Sequence, residues 1–233
     1  AHFPAVGLPS PIQEGADLAA LSAHKTLYAL GQSAMLLSGG TIGSDRLREG
    51  ASLFGTSSPS YAMMVSLDLA RDALEQDDSY QKAAEAVHAL RLHLAEHTKF
   101  RPLTGHDLDP CRLTVSTAGT DWTGDKLADT LYERFGVACE MSDARNIVCI
   151  VTPADLGDNL DRLREALDTL SREVQQTALP EPLPPLPVPH PALSVRRALL
   201  GNASTLFLDD VQPGMVCARP VTPYPPGVPV LWP

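Results

Sequence analysis

The chain has 233 residues, 44% of them hydrophobic, and carries 18 Lys and Arg against 28 Asp and Glu for a formal charge of −10. Such a chain can bury a core in one large domain or two small ones, while an acidic balance with no basic block speaks against nonspecific nucleic-acid binding. No stretch approaches the roughly 20 apolar residues of a membrane-spanning helix, and the opening AHFP lacks the charged-then-apolar order of a secretory signal.

In chain order, residues 16–21 and 33–37 read as short apolar strands bounded by turn signals, the pattern of parallel strands buried on both faces. Between them stands SAHKTL (22–27). A lysine buried at the end of a strand loses solvation, so its pKa falls and a fraction of the amine becomes the nucleophile that condenses with an aldehyde. Ser22 and His24 are suited to hydrogen-bonding a phosphate, and an aldehyde joined to a phosphate describes pyridoxal 5′-phosphate.

After Gly39 and Gly40, residues 44–54 read as a helix that stops near Gly55. Residues 56–59 (TSSP) have the composition of a helix N-cap box, and Met64, Leu67, Ala70 and Leu74 recur at helical spacing through 60–76. A second long helix is expected over 79–99, with Pro102 and Gly105 marking the break after it. Strands then follow at 112–116, with Leu113 and Val115 on one face, and at 137–141 and 146–151. Helices are expected at 125–135, stopped by Gly136, and at 156–176, where Leu160, Leu163, Leu167, Leu170 and Val174 form one stripe. This alternation is that of a small α/β layer. Residues 180–191 (PEPLPPLPVPHP) favour a stiff, extended connector over a peptide ligand at 182–187. A helix at 192–200 and an extended segment at 221–230 complete the pass.

Four cysteines, Cys111, Cys139, Cys149 and Cys217, are widely spaced with no CxxC pair. They are expected as reduced thiols, packed as small hydrophobes in a cytoplasmic protein. One metal pattern stands out: HLAEH at 93–97 matches the HxxEH of inverted zinc peptidases, with two imidazoles a helical turn apart. Its helix is otherwise polar and no downstream glutamate is placed as a third ligand, so no metal is assigned.

Three ordered blocks resemble one family, the bacterial Orn/Lys/Arg decarboxylases. SAHKTL (22–27) is similar to its cofactor-lysine motif. LFGTSSPSY (53–61), with SLD (66–68) after it, resembles its next signature. ALSVRRA (192–198) and VTPYPPG (221–227) are similar to its C-terminal region, and DARNIVCIVT (143–152) to its small-domain strand. The resemblance implies an α/β chain comprising the C-terminal part of a PLP-dependent, aspartate-aminotransferase-like large domain (1–100) and a small α/β domain (101–179). A proline-rich linker (180–191) and a C-terminal decarboxylase segment (192–233) would follow.

By that resemblance, Lys25 holds pyridoxal 5′-phosphate, and Ser22 and His24 bind its phosphate. Thr56, with Ser57 as the weaker candidate, is delivered to the phosphate of a neighbouring subunit, which makes the unit a homodimer or higher oligomer with shared sites. Arg145 is a weaker candidate for the substrate carboxylate, its alternative being an ion pair with Asp143 or Glu140. The reaction implied is decarboxylation of arginine, lysine or ornithine to the amine and carbon dioxide. Another PLP-dependent activity, as an aminotransferase or lyase, or a non-catalytic subunit of the same fold, is the alternative. The short form of the family is the nearer match. The aspartate that pairs with the pyridine nitrogen belongs to a segment upstream of Ala1, so the chain is expected to be a fragment, inactive alone.

Overall fold

The computed structural model describes residues 2–180 and 192–222. The chain divides after Leu179 into two units. The first opens with a 3-10 turn, Phe3–Val6, and a hairpin of β1 (Leu18–Ser22) and β2 (Ala34–Ser38). The strands are antiparallel, with Leu18 opposite Ser38 and Ser22 opposite Ala34. This corrects the expectation of parallel strands buried on both faces. Only Ala19 of the ten strand residues is buried, and the rest stay exposed or half-buried. A short apolar run cannot reveal strand direction, because period-two alternation of small and large apolar residues looks like a continuous hydrophobic stretch.

Helix α1 (Ser44–Phe54) ends at Gly55 as expected, and none of its residues is buried. Helix α2 (Tyr61–Gln76) is capped by Ser60, whose hydroxyl accepts from the Met63 N–H at 3.5 Å. The cap therefore lies one residue beyond the TSSP run. Of the expected stripe, Ala70 is buried and Leu67 and Leu74 pack beside it, while Met64 is exposed.

Helix α3 (Ser79–His97) joins the halves of the unit. Its first turns supply Tyr80 to a cluster with Ala23, Leu27 and Ala70. Its later turns supply Val87, Leu90 and Leu94 to the main core.

That core is closed by β3 (Arg101–Pro102), β4 (Arg112–Ser116), α4 (Gly124–Phe135), β5 (Met141–Ser142), β6 (Asn146–Ile150) and α5 (Asp158–Glu173). The sheet order is β3-β4-β6-β5, and each pairing is antiparallel. Leu113 and Val115 of β4 are fully buried on one face, and Leu163, Leu167, Leu170 and Val174 form the expected buried stripe along and just past α5.

Several boundaries differ from expectation, among them the three that follow. The strand expected at 137–141 begins only at Met141, because the Glu140 N–H donates to the Val148 carbonyl at 2.9 Å while Met141 is itself the partner of Val148. Two residues thus oppose one, a β-bulge that ends regular pairing. The helix expected from 156 begins at Asp158, after a 3-10 turn at Pro153–Asp155. In the second unit the helix expected at 192–200 is α6 (Val195–Leu200), capped by Ser194. Most of the proline-rich connector and most of the 221–230 segment lie outside the described residues.

Leu167 is fully buried in the main core, so Leu167→Ala should cost about 2–5 kcal/mol. Leu53→Ala, at a side chain 74% exposed, should stay within about 0.5 kcal/mol. Urea unfolding of the two variants checks the contrast; equal midpoints would contradict this placement of the core.

Candidate active site around Lys25

Lys25 ends the 3-10 turn Ala23–Lys25 that leaves β1. The turn is held by its neighbours rather than by the lysine. Ala23 is fully buried and Leu27 nearly so, and both Thr26 and Leu27 donate their N–H groups back to the Ala23 carbonyl, at 3.2 and 2.8 Å. From α3, the Tyr80 hydroxyl donates to the Thr26 carbonyl at 2.7 Å. Burial pushes the Tyr80 phenol well above its usual range, which keeps it a neutral donor. From α2, the Ser66 hydroxyl accepts from the Leu30 N–H at 3.2 Å, tying down the far side of the loop.

The result is a rigid backbone under an outward-facing side chain. Lys25 is 59% exposed, with its Nζ 3.9 Å from the Glu140 carboxylate. Burial of the amine, expected from the sequence, is therefore not found: the strand end buries Ala23 and turns the lysine out. Glu140 lies just before β5, at the bulge, and in the sequence it stands out only as a partner for Arg145. Nothing local in the sequence could link it to Lys25, since 115 residues separate the two positions.

Ser22 and His24 are exposed beside Lys25. The His24 Nδ1–H donates to the Ser33 carbonyl at 2.9 Å, across the mouth of the hairpin, so Nε2 is the nitrogen with which the ring can meet a ligand. One hydroxyl, one imidazole and one amine are thus presented by four consecutive residues on a fixed turn. This donor set suits an aldehyde that carries a phosphate.

Thr56 and Ser57 stand on the exposed loop between α1 and α2, where the Thr56 hydroxyl accepts from the Ser58 N–H at 3.1 Å. Their flanks are apolar and open: Phe54 is 93% and Tyr61 78% exposed.

Arg145 lies in the tight turn between β5 and β6. The Asp143 carboxylate accepts from the Arg145 and Asn146 N–H groups at 2.7 and 2.8 Å. The Arg145 carbonyl accepts from the Thr117 N–H at 2.8 Å. The first residue of α4, Gly124, packs against this turn so closely that a Cβ would come within 2.4 Å of the Asp143 carbonyl oxygen.

The HLAEH motif has a partner that the sequence does not show. His93 Nε2 meets Asp168 of α5 at 2.8 Å, and the His93 and His97 rings stack at 4.7 Å. A separate cluster forms where His2 Nε2 meets Asp109 at 2.8 Å. Burial works against ionisation of Asp109, but the His2 hydrogen bond and charge, the Cys111 N–H and Arg112 outweigh it and hold the carboxyl below its usual range.

The model of the Orn/Lys/Arg decarboxylase major domain matches residues 11–101. The arginine decarboxylase of Bacillus subtilis (strain 168) is 32% identical over 250 residues, covering 96% of this chain and 48% of that protein. That of Halalkalibacterium halodurans is 30% identical, over 100% of this chain and 50% of its own length. The chain thus spans about half the length of the curated relatives it matches. Among solved structures, the Francisella novicida lysine decarboxylase superposes with a TM-score of 0.57 at 18% identity, over 66% of this chain and 28% of that one.

The fold is therefore a mixed α/β fold, shared over part of its length with the solved lysine decarboxylases. By sequence, the chain belongs to the Orn/Lys/Arg decarboxylase family. No helix among the described residues is long and apolar enough to cross a membrane.

Tyr80→Phe should lower stability by about 1 kcal/mol, through loss of the bond to the Thr26 carbonyl. It should also change the response to alkali. The folded phenol keeps its proton where the unfolded one, with a pKa of about 10, loses it. This contribution is complete below that pH and is lost as pH rises above it. Denaturation at stepped pH should therefore show a shallower alkaline loss in the variant; identical slopes would contradict the buried phenol.

Proposed function

We propose that this chain carries the reactive lysine of a pyridoxal-phosphate-dependent decarboxylase acting on a basic amino acid, and that Lys25 is that residue. The observation that carries the reading is the turn itself: a backbone locked by Ala23, Leu27 and Tyr80 beneath an exposed amine flanked by Ser22 and His24. The names of the curated relatives favour arginine as substrate over lysine or ornithine.

The cofactor, when bound, supplies the electron sink that accepts the pair left on Cα as carbon dioxide departs. The chain's own residues bind and orient. Lys25 offers Nζ for covalent attachment, Ser22 Oγ and His24 Nε2 face the phosphate, and the hydrogen bond to Ser33 fixes the imidazole plane. Glu140 places a carboxylate beside the Lys25 ammonium. It can hold the amine in one orientation and take part in its proton traffic. Arg145 is retained as the weaker candidate for the substrate carboxylate.

Thr56, with Ser57, is proposed to reach the phosphate of a second subunit in a homodimer. Its open apolar flanks, Phe54 and Tyr61, support an interface at this loop.

The test is carbon dioxide release from arginine, lysine and ornithine by the full-length protein with pyridoxal phosphate. Decarboxylation with loss of several orders of magnitude in Lys25→Ala is expected. Transfer of the amino group to a keto acid without carbon dioxide release would instead support an aminotransferase. Glu140→Gln should lower kcat while leaving the unfolding midpoint unchanged, since an exposed pair contributes little to stability. A fall in stability with kcat intact would make Glu140 a structural residue only.

A further inference from the structure

We propose that Cys139 and Cys149 form a reversible disulfide that staples the β-bulge bearing Glu140 to β6. The two sulfurs lie 3.8 Å apart, with Cys149 hydrogen-bonded to Cys139. Backbone register explains the approach. Regular pairing would put Cys139 out of step with Cys149, but the bulge at Glu140 and Met141, both facing Val148, shifts the register by one. Cys139 then stands opposite Cys149, the position from which cross-strand cysteines can bridge. The bond needs the sulfurs to close to roughly 2 Å, a shift that the irregular backbone at 137–140 can absorb and that regular β6 need not.

The chemistry of the two thiols is unequal. Cys149 is 6% exposed, and both the hydrogen bond it donates and its burial push its thiol well above the usual range. Cys139 is half-buried, and accepting that bond lowers it. Cys139, the more exposed of the two and the one whose ionisation the contact favours, is therefore the thiol a peroxide reaches first, and Cys149 the one that resolves.

With a peroxide as oxidant the steps balance. The Cys139 thiolate attacks one peroxide oxygen and the O–O bond breaks, giving a sulfenic acid and hydroxide, which takes up the proton that the Cys139 thiol had released and leaves as one water. The Cys149 sulfur then displaces hydroxide from that sulfenic sulfur, forming S–S. The displaced hydroxide leaves as a second water with the Cys149 proton, and a small-molecule thiol reverses the bridge by exchange. The residue next to Cys139 is Glu140, whose carboxylate faces Lys25. The staple would thus fix the backbone beside the lysine, although its formation does not depend on how Lys25 is used.

The sequence provides a direct test. Trypsin cuts after Arg134, Arg145 and Arg162, so Cys139 and Cys149 fall on different peptides, 135–145 and 146–162. The full-length protein, treated with hydrogen peroxide, alkylated and digested, should yield these two peptides joined at a mass two hydrogens below their sum. They should separate on reduction. Cys149→Ser should instead leave Cys139 as a sulfenic acid trapped by dimedone. Peptides that remain separate and alkylated after peroxide would overturn the proposal, as would linkage of either to Cys111 or Cys217. The wild-type digest stands even where the variant fails to fold.

Discussion

Everything at the candidate site depends on one small cluster: Ala23, Leu27, Ala70 and Tyr80, closed by the Tyr80 hydroxyl on the Thr26 carbonyl. A 3-10 turn of three residues has too few hydrogen bonds to hold itself. It is fixed because the side chains before and after Lys25 are buried, each contributing on the scale of about 1.5–3 kcal/mol when large and apolar. The covalent role proposed for Lys25 needs this division of labour. Its neighbours anchor the backbone so that the amine can be both exposed and placed.

The same helix that holds the turn also builds the second core. Tyr80 at the start of α3 supports the Lys25 turn, and Val87, Leu90 and Leu94 farther along pack into the four-stranded sheet unit. The helix therefore relates the lysine turn to the bulge that carries Glu140. The Lys25–Glu140 approach is a consequence of packing on both ends of one rigid element, rather than of any local motif.

Legibility in the sequence followed the range of the interactions. Helices α1 to α5 were readable because helical periodicity and glycine stops are local, and α1 has the expected limits. Lys25, Ser22 and His24 stand out as a candidate set because they are neighbours in the chain. Strand direction was not, since Leu18 meets Ser38 only through a loop whose path no periodicity encodes. Exposure of Lys25 is hidden from the sequence for a related reason: the apolar residues around it, Ala23 and Leu27, bury themselves and leave the lysine outside. Glu140, the Asp168 partner of His93 and the Cys139–Cys149 approach all depend on tertiary placement and on a bulge with no sequence signature of its own.

If Lys25 is the amine that the fold presents for covalent chemistry, borohydride reduction of the full-length protein loaded with pyridoxal phosphate abolishes the visible absorption band and leaves one pyridoxyl group on the peptide containing Lys25. A protein that takes up no cofactor, or a label found on another lysine, would contradict that role.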